Sequence, residues 1–471
     1  SNLTDVFDHR DGDEWGAGYR PQSVHIQHDA LYHVISADYD YTHEDGSRSP
    51  VDASTDWRDA QSMLASIDPM HQLPAAMVPA IPESRVASLT WSWDFLGNMT
   101  DWTDDASSFY ERSVGGGTLP DDPASAARGI ANGVDWGHRS GPEPLRPSAL
   151  YMATNLPTHD RASFEAGWEG GGWVEVGYGL GGNVTSMTVH GQCEPRLVSG
   201  ALPTCNMPTS AGLTYTRRVR TYMDCQWSCA EEQHFEYRYD ELNRIAEARR
   251  WDRDETQRTI LPYYGWPQQP DVRQRYRYDG GNQRVIKETI EDPSTMGPDG
   301  APRGRVALYV YPGDFERRGL ERDTIPGTYL PYDDGMGSRT ETQYLVAGSR
   351  LVWQHSSESS LLEQDLIRSR RITVGLGDLL GTTSAVLDLT SGELLEASTY
   401  YPNGARETLR VPDEPDLRAP YEPMGFTGKE ADEEVGLGYF GHRYLIPRIG
   451  RWATPDPLHV HAGGGGEALN S

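Results

Sequence analysis

Residues 425–458 read GFTGKEADEEVGLGYFGHRYLIPRIGRWATPDPL. The string places TGKE, Gly436-Leu437-x-Tyr439-Phe440-Gly441, Arg443-Tyr444, Gly450-Arg451-Trp452 and Asp456-Pro457 at short fixed offsets, an order that composition alone rarely generates. Read by itself, the acidic run Glu430, Asp432, Glu433 and Glu434 looks like a carboxylate cluster, and the simpler expectation for it is a solvated turn. An Asp-Pro pair such as Asp456-Pro457 is, without context, a turn or strand-end device. Arg451 can orient a carboxylate through its bidentate fork or stack on Trp452 or a tyrosine.

Working outward, five upstream segments share an aromatic or alternating run, an Asp or Gly turn, and then Asn or Arg with a β-branched residue. They are VHIQHDALYHVISADYDY (24–41), LTWSWDFLGNMTDWTDD (89–105), VEVGYGLGGNVTSMTVHG (174–191), FEYRYDELNRIAEARRWD (235–252) and RYRYDGGNQRVIKETIE (275–291). Period-2 patterns around Asp-Gly, Gly-Asn or Leu-Asn predict β-hairpins, since Gly and Asn tolerate the positive φ such turns require. The turn-aligned positions Asp29, Asp94, Gly179, Asp240 and Asp279 are unevenly spaced, so these YD-type units form a degenerate array broken by insertions. Further strand material is expected at 307–318, 342–356 and 370–404. Regions 43–87 and 112–172 are rich in Gly, Pro and Ser and read as loops or insertions, with one helix expected at 56–67.

On these residues the chain resembles the RHS/YD-repeat proteins that carry an RHS repeat-associated core, namely bacterial polymorphic toxins and the C component of Tc toxin complexes. Segment 370–404 is similar to the stretch preceding that core, with Asp378-x-Leu380-Gly381 and Tyr401-Pro402-x-Gly404, but lacks the His that commonly precedes the Asp. The resemblance implies an all-β fold: YD-repeat hairpins wound into a large spiral sheet, a cocoon-like shell with a C-terminal core plug. Winding or closing a long sheet also satisfies its exposed edges. The implied organisation is degenerate repeats over 1–234, repeat shell over 235–404 and core over 405–471. The implied function is to encapsulate a C-terminal toxic domain of the same polypeptide and to contribute to its autoproteolytic release. This is not turnover catalysis but part of an intramolecular aspartyl protease, which needs two carboxylates sharing one proton. Asp456 and Arg451 are the catalytic residues the resemblance suggests. The family's Arg-Tyr-Tyr-Asp-Pro reads Arg443-Tyr444-Leu445-Ile446-Pro447 here, so Ile446 takes the usual Asp position, and the expected cleavage motif lies beyond Ser471.

Composition excludes several classes. With 42 basic against 70 acidic residues the formal charge is −28, which disfavours nucleic acid and anionic membranes as partners. No apolar run is long enough to span a bilayer, and no basic-then-apolar leader opens the chain. The first residue is Ser, and the sequence reads as a piece of a longer, secreted or cell-surface bacterial protein. Hydrophobic residues make up only 37%, with 25 Tyr and 13 Trp suited to half-buried sheet faces. No cofactor is expected; a β-propeller or secretion-system protein is the expected further partner. From another class, a cell-surface YD-repeat protein binding carbohydrate or neighbouring cells fits the same aromatic content, and so does a scaffold subunit of an injection complex.

Cys193, Cys205, Cys225 and Cys229 are the only cysteines, spaced C-x11-C-x19-C-x3-C. Two disulfides suit an exported protein, a four-thiolate zinc site is the rival, and free thiols stay open. His459 and His461 alternate as on one strand face without further ligands in sequence nearby. The GGGG at 463–466 lacks the flanking pattern of a phosphate loop. Asn2, Asn98 and Asn183 sit in N-x-T sequons, the latter two within repeat turns.

Overall fold

The computed structural model describes residues 4–7, 22–41, 88–93, 99–104, 112–113, 132–133, 146–150, 152–154, 173–197, 220–222, 225–254, 266, 269–291, 304–310, 315–321, 339–345, 349–355, 370–378, 380–410 and 424–455. Among these, regular structure is almost entirely strand; the helical elements are single 3-10 turns at Phe426–Gly428, Glu433–Val435 and Pro447–Ile449. The helix expected at 56–67 lies outside the described residues.

Twenty-two strands form one sheet. Neighbours in sequence pair antiparallel through most of it, from Gln22–His28 with Val34–Tyr41 to Leu394–Tyr400 with Arg406–Arg410. A single parallel contact, Arg112 with Thr154, joins the first six paired strands to the rest. All five hairpins expected from the repeats form, and so do the strands expected around 307–318, 342–356 and 370–404.

Six of the hairpin loops share one construction, whereas the loop after Asp388 is one residue longer, the Asp388 N–H reaching the Glu393 carbonyl. In each of the six, residue i donates its N–H to the carbonyl of i+4, and the N–H of i+3 returns to the carbonyl of i. This holds for Asp29, Gly179, Asp240, Asp279, Asp378 and Tyr401. Where i is Asp, its Oδ1 also accepts from the N–H groups of i+2 and i+4, as with Asp240 and Leu242 (3.0 Å) and Arg244 (2.9 Å). A short carboxylate that bonds its own loop backbone is why Asp recurs there. The fourth loop residue is left-handed: Tyr32, Gly182, Asn243, Asn282, Gly381 and Gly404 all have positive φ. A register shift follows in the flanking strand, for example between Arg238 and Tyr239, the signature of a left-handed bulge closing a hairpin. The expectation of positive φ at Gly or Asn is therefore met at one residue in five of the six loops, Tyr32 takes the place in the first, and Gly280 and Gly281 are not among those with positive φ.

Alternation along the strands sends one face inward. Val174, Val176, Met187, Val189, Phe235, Tyr237, Ile245, Ala248, Val272 and Tyr276 join Val435, Leu437, Tyr439, Tyr444, Ile446, Ile449 and Ala453 in a single buried cluster. The core is thus a junction between the sheet and the segment 424–455, here termed the plug.

Candidate functional site

The plug is a small meander. Strands Glu430–Asp432, Leu437–Tyr439, Tyr444–Ile446 and Arg451–Trp452 form their own four-stranded antiparallel sheet. Left-handed Gly436 and Gly450 end the 3-10 turns that reverse the chain. The plug touches the large sheet in two distant places. On one side Tyr237 Oη donates to the Val435 carbonyl (3.1 Å), and the Val184 N–H and Tyr239 Oη both donate to the Ala453 carbonyl (2.8 and 3.0 Å). On the other, the Thr383 N–H donates to the Gly425 carbonyl (3.1 Å), the Thr427 N–H to Thr382 Oγ1 (3.1 Å), and Asn403 Nδ2 to the Pro447 carbonyl (2.7 Å). Gly404 sits at φ +87 against the Phe426 ring, and a Cβ there would lie 2.8 Å from Phe426 Cδ1, so this contact needs glycine twice over. A segment bonded to both places requires the sheet to curve around it.

The acidic run is the main correction to the sequence reading. It is not a solvated turn: Glu430, Asp432, Glu433 and Glu434 are all buried, Asp432 completely. Glu430 and Asp432 are two apart on a strand, so their side chains leave the same face. That face meets Arg284 and Lys287 on the strand Arg284–Glu291 and Arg318 on Phe315–Glu321. Lys287 Nζ lies 2.7 Å from Glu430 Oε1 and 2.7 Å from Asp432 Oδ1. Arg284 forks across both carboxylates, bonding Glu430 Oε2 through Nη2 and Asp432 Oδ2 through Nη1 (2.5 Å). Arg318 Nη2 reaches Glu430 Oε1 at 2.8 Å, and Tyr309 Oη donates to the same oxygen at 2.7 Å. Glu316 pairs with Arg318 at 3.0 Å, which balances three carboxylates against three cations.

Four rings enclose the Arg284 guanidinium. Tyr276 and Tyr309 come from the sheet, Tyr439 and Tyr444 from the plug, and Tyr439 is nearest, its centroid 4.2 Å from Cζ. Neighbouring plug carboxylates point the other ways: Glu433 meets Arg406 at 3.2 Å, and Glu434 Oε2 accepts from Gln274 at 3.2 Å while its carbonyl accepts from Arg250 at 2.5 Å. Burial alone would raise the Glu430 carboxyl, but Arg284, Lys287 and Arg318 outweigh it and hold it well below the usual carboxylate range. Burial would likewise lower the Arg284 guanidinium, and Asp432 and Glu430 raise it instead. The two carboxylates direct oxygens to the same two cations, Arg284 and Lys287, and no hydrogen bond joins them to each other among the described contacts. Glu430 and Asp432 therefore do not form an aspartyl-protease dyad; they are structural anions.

Of the expected catalytic residues, Arg451 is buried in the last plug strand, and its register partner is Ile446, which is fully buried. The position where the resembled family carries Asp thus lies directly across from Arg451. Asp456 is outside the described residues, as are His459 and His461. Cys193 and Cys229 are backbone partners across the strand pair Val184–Leu197 and Cys225–Tyr239, and Cys225 faces Leu197. Their side chains, and Cys205 altogether, lie outside the described residues, so the choice between disulfide and zinc stays as the sequence left it. Arg284, Lys287, Arg318 and Gln274 were missed. The available signal was polar residues at inward positions of otherwise alternating strands, with Lys287 and Arg284 opposite Tyr276 and Tyr278 in register, Gln274 opposite Thr289 and Arg318 opposite Ala307.

No family model matches the chain. Its sequence is similar to toxin subunit YenC1 of Yersinia entomophaga, 28% identical over 183 residues, which is 39% of this chain and 16% of that protein. Toxin subunit YenC2 of the same organism is 26% identical over 194 residues, 40% of the chain and 17% of the relative. Toxin protein Tse5 of Pseudomonas aeruginosa is 40% identical over 58 residues, 11% and 4% of the two chains. Among solved structures the chain is similar to TcdB2-TccC3 without its hypervariable C-terminal region, with 16% identity, TM-score 0.40, and coverage of 94% of this chain and 16% of that one. TcdB2-TccC3-TEV gives 13% identity and TM-score 0.31 over 94% and 17%. These relatives support the resemblance read from 425–458: the chain is similar to RHS-type toxin proteins and to the C component of Tc toxins. The chain matches less than a fifth of the length of the Yersinia relatives. Among the described residues no helix is long and apolar enough to cross a membrane.

Proposed function

We propose that this chain is the shell-and-plug part of an RHS-type toxin, which encloses a toxic domain carried C-terminally on the same polypeptide and contributes to its autoproteolytic release. The observation that supports this is the plug itself, buried in a curved sheet and bonded to two distant parts of it. A sheet that folds round this plug places residue 455 at that junction.

In this reading Arg451 orients a carboxylate and Asp456 supplies one. Ile446 leaves the partner position empty of acid, so the second carboxylate and the scissile peptide must come from elsewhere in the polypeptide. The test is a chain extended past Ser471 through the next Asp-Pro-x-Gly-Leu. It should cut itself, and Asp456→Asn, which keeps the shape and removes a titratable oxygen, should leave it whole and folded. Arg451→Ala should slow the cut with folding checked in parallel. Cleavage of Asp456→Asn at the parental rate ends the site assignment. An extended parent that neither cuts nor shields its C-terminal domain from added protease transfers the case to the cell-surface adhesin.

A further inference from the structure

The charge cluster at Glu430 and Asp432 does more than fill a core. Without the plug, the sheet face between strands Val272–Tyr278 and Phe315–Glu321 would present Arg284 and Lys287 to whatever lay above it. Tyr276 and Tyr309 would stay beside Arg284, and Glu316 would stay with Arg318, but neither Arg284 nor Lys287 would keep the two carboxylates that now hold it. Such a face is stable only when wetted. The plug brings both missing carboxylates and two of the four rings around Arg284, while its Glu433 reaches the other way to Arg406. Leaving Arg284 and Lys287 buried without Glu430 and Asp432 is the costly case, because removing one partner of a buried ion pair is strongly destabilising, whereas replacing both partners is not.

We infer that Glu430 and Asp432 are a latch: through Arg284, Lys287 and Arg318 they hold the plug across the curved sheet, tying strands 272–321 to strands 383–410, and loss of their charge while Arg284 and Lys287 keep theirs opens this junction and leaves each hairpin paired. The hairpins do not depend on the latch, because each closes on its own loop bonds, as at Asp240 and Asp279. The latch concerns two parts of one chain and needs no cargo, so it stands or falls apart from the encapsulation reading.

Hydrogen exchange on the whole 471-residue chain reads this directly, by comparing amides of the plug strands with those of the hairpin Gln22–His28 and Val34–Tyr41, whose buried cluster contains no plug residue. The double variant Glu430→Gln with Asp432→Asn should speed exchange in the plug on the order of a hundredfold, the equivalent of ~3 kcal/mol, and leave the hairpin unchanged. Unchanged plug protection overturns the inference, as does equal loss of protection in plug and hairpin. A quadruple variant, Glu430→Leu, Asp432→Leu, Arg284→Met and Lys287→Met, removes both sides of the latch together and should return the plug to the protected state. If the double variant fails to fold, the quadruple decides: a folded chain with a protected plug upholds the latch, and an open or unfolded one overturns it.

Discussion

The hairpins Gln22–His28/Val34–Tyr41 and Val272–Tyr278/Arg284–Glu291 close with the same loop. Asp29 accepts from the N–H groups of Leu31 (2.8 Å) and His33 (2.9 Å), and Asp279 from those of Gly281 and Gln283 (both 2.8 Å). Both carry a register shift one residue before the first strand ends, and both place the fourth loop residue left-handed, at φ 69 for Tyr32 and 65 for Asn282. What they bury differs. The first packs Ala37 with Leu89 and Trp91 in a small apolar cluster that also takes in Tyr401. The second buries Gln274, Arg284, Lys287 and Thr289 beneath the plug. Hairpin geometry is therefore a local property, and the polarity a hairpin can bury is set by what another part of the chain brings to its face.

The largest effect should separate the two hairpins. Arg284→Met leaves Glu430 and Asp432 buried with too little positive charge, and should cost ~3–5 kcal/mol in urea unfolding. A loss under ~1 kcal/mol would mean that water reaches the cluster, and the contrast would fade. Acid acts on the same cluster. Glu430 titrates well below its ordinary 4.5 when folded, so its contribution is complete above that value and is lost as pH falls through the lowered one. Each tenfold change in its acidity constant is worth ~1.4 kcal/mol. Emission of Trp452, which packs edge-on to Phe440 and under Arg443, should stay constant from neutrality to about pH 5 and change only below the ordinary carboxylate value. A transition near pH 6 would contradict the assignment.

Smaller effects should be shared by the two hairpins. Asp29→Ala and Asp279→Ala each remove two hydrogen bonds to loop N–H groups and should cost ~1–2 kcal/mol, with Asp29→Ala the slightly larger because it also loses the His33 ring at 2.9 Å. A much larger cost at Asp279 would show that loop and plug are coupled. The smallest change should have the opposite sign. Tyr32 holds a left-handed conformation that a bulky side chain resists, so Tyr32→Asn should stabilise by ~1 kcal/mol or less in thermal unfolding, provided the ring makes no compensating contact. At 75% exposure it has little to lose.

Legibility followed distance along the chain. The hairpins at 24–41, 235–252 and 275–291 could be read from alternation and turn residues, since a loop of five residues carries its own hydrogen bonds. The exception is instructive: Asp279-Gly280-Gly281-Asn282 offers three residues suited to positive φ, and only Asn282 adopts it, because the bulge places the left-handed residue fourth. The resemblance of 425–458 also pointed correctly to a plug and to the toxin class. The local reading of the acidic run as a solvated turn misjudged Glu430 and Asp432, whose partners Arg284 and Lys287 lie 143 to 148 positions away. Arg451 was singled out from its motif, but only the register with Ile446 reveals which side chain occupies the place of the family's acid.

By itself, the sequence determined where the chain pairs with its immediate neighbours, because a strand, an Asp-closed loop and a returning strand satisfy one another within about twenty residues. Only the tertiary structure decided that an acidic run of the kind ordinarily hydrated would be dry. A buried carboxylate is tolerated when cations and hydrogen-bond donors surround it, and here they converge from three strands of the sheet as it curves around its own C-terminal plug.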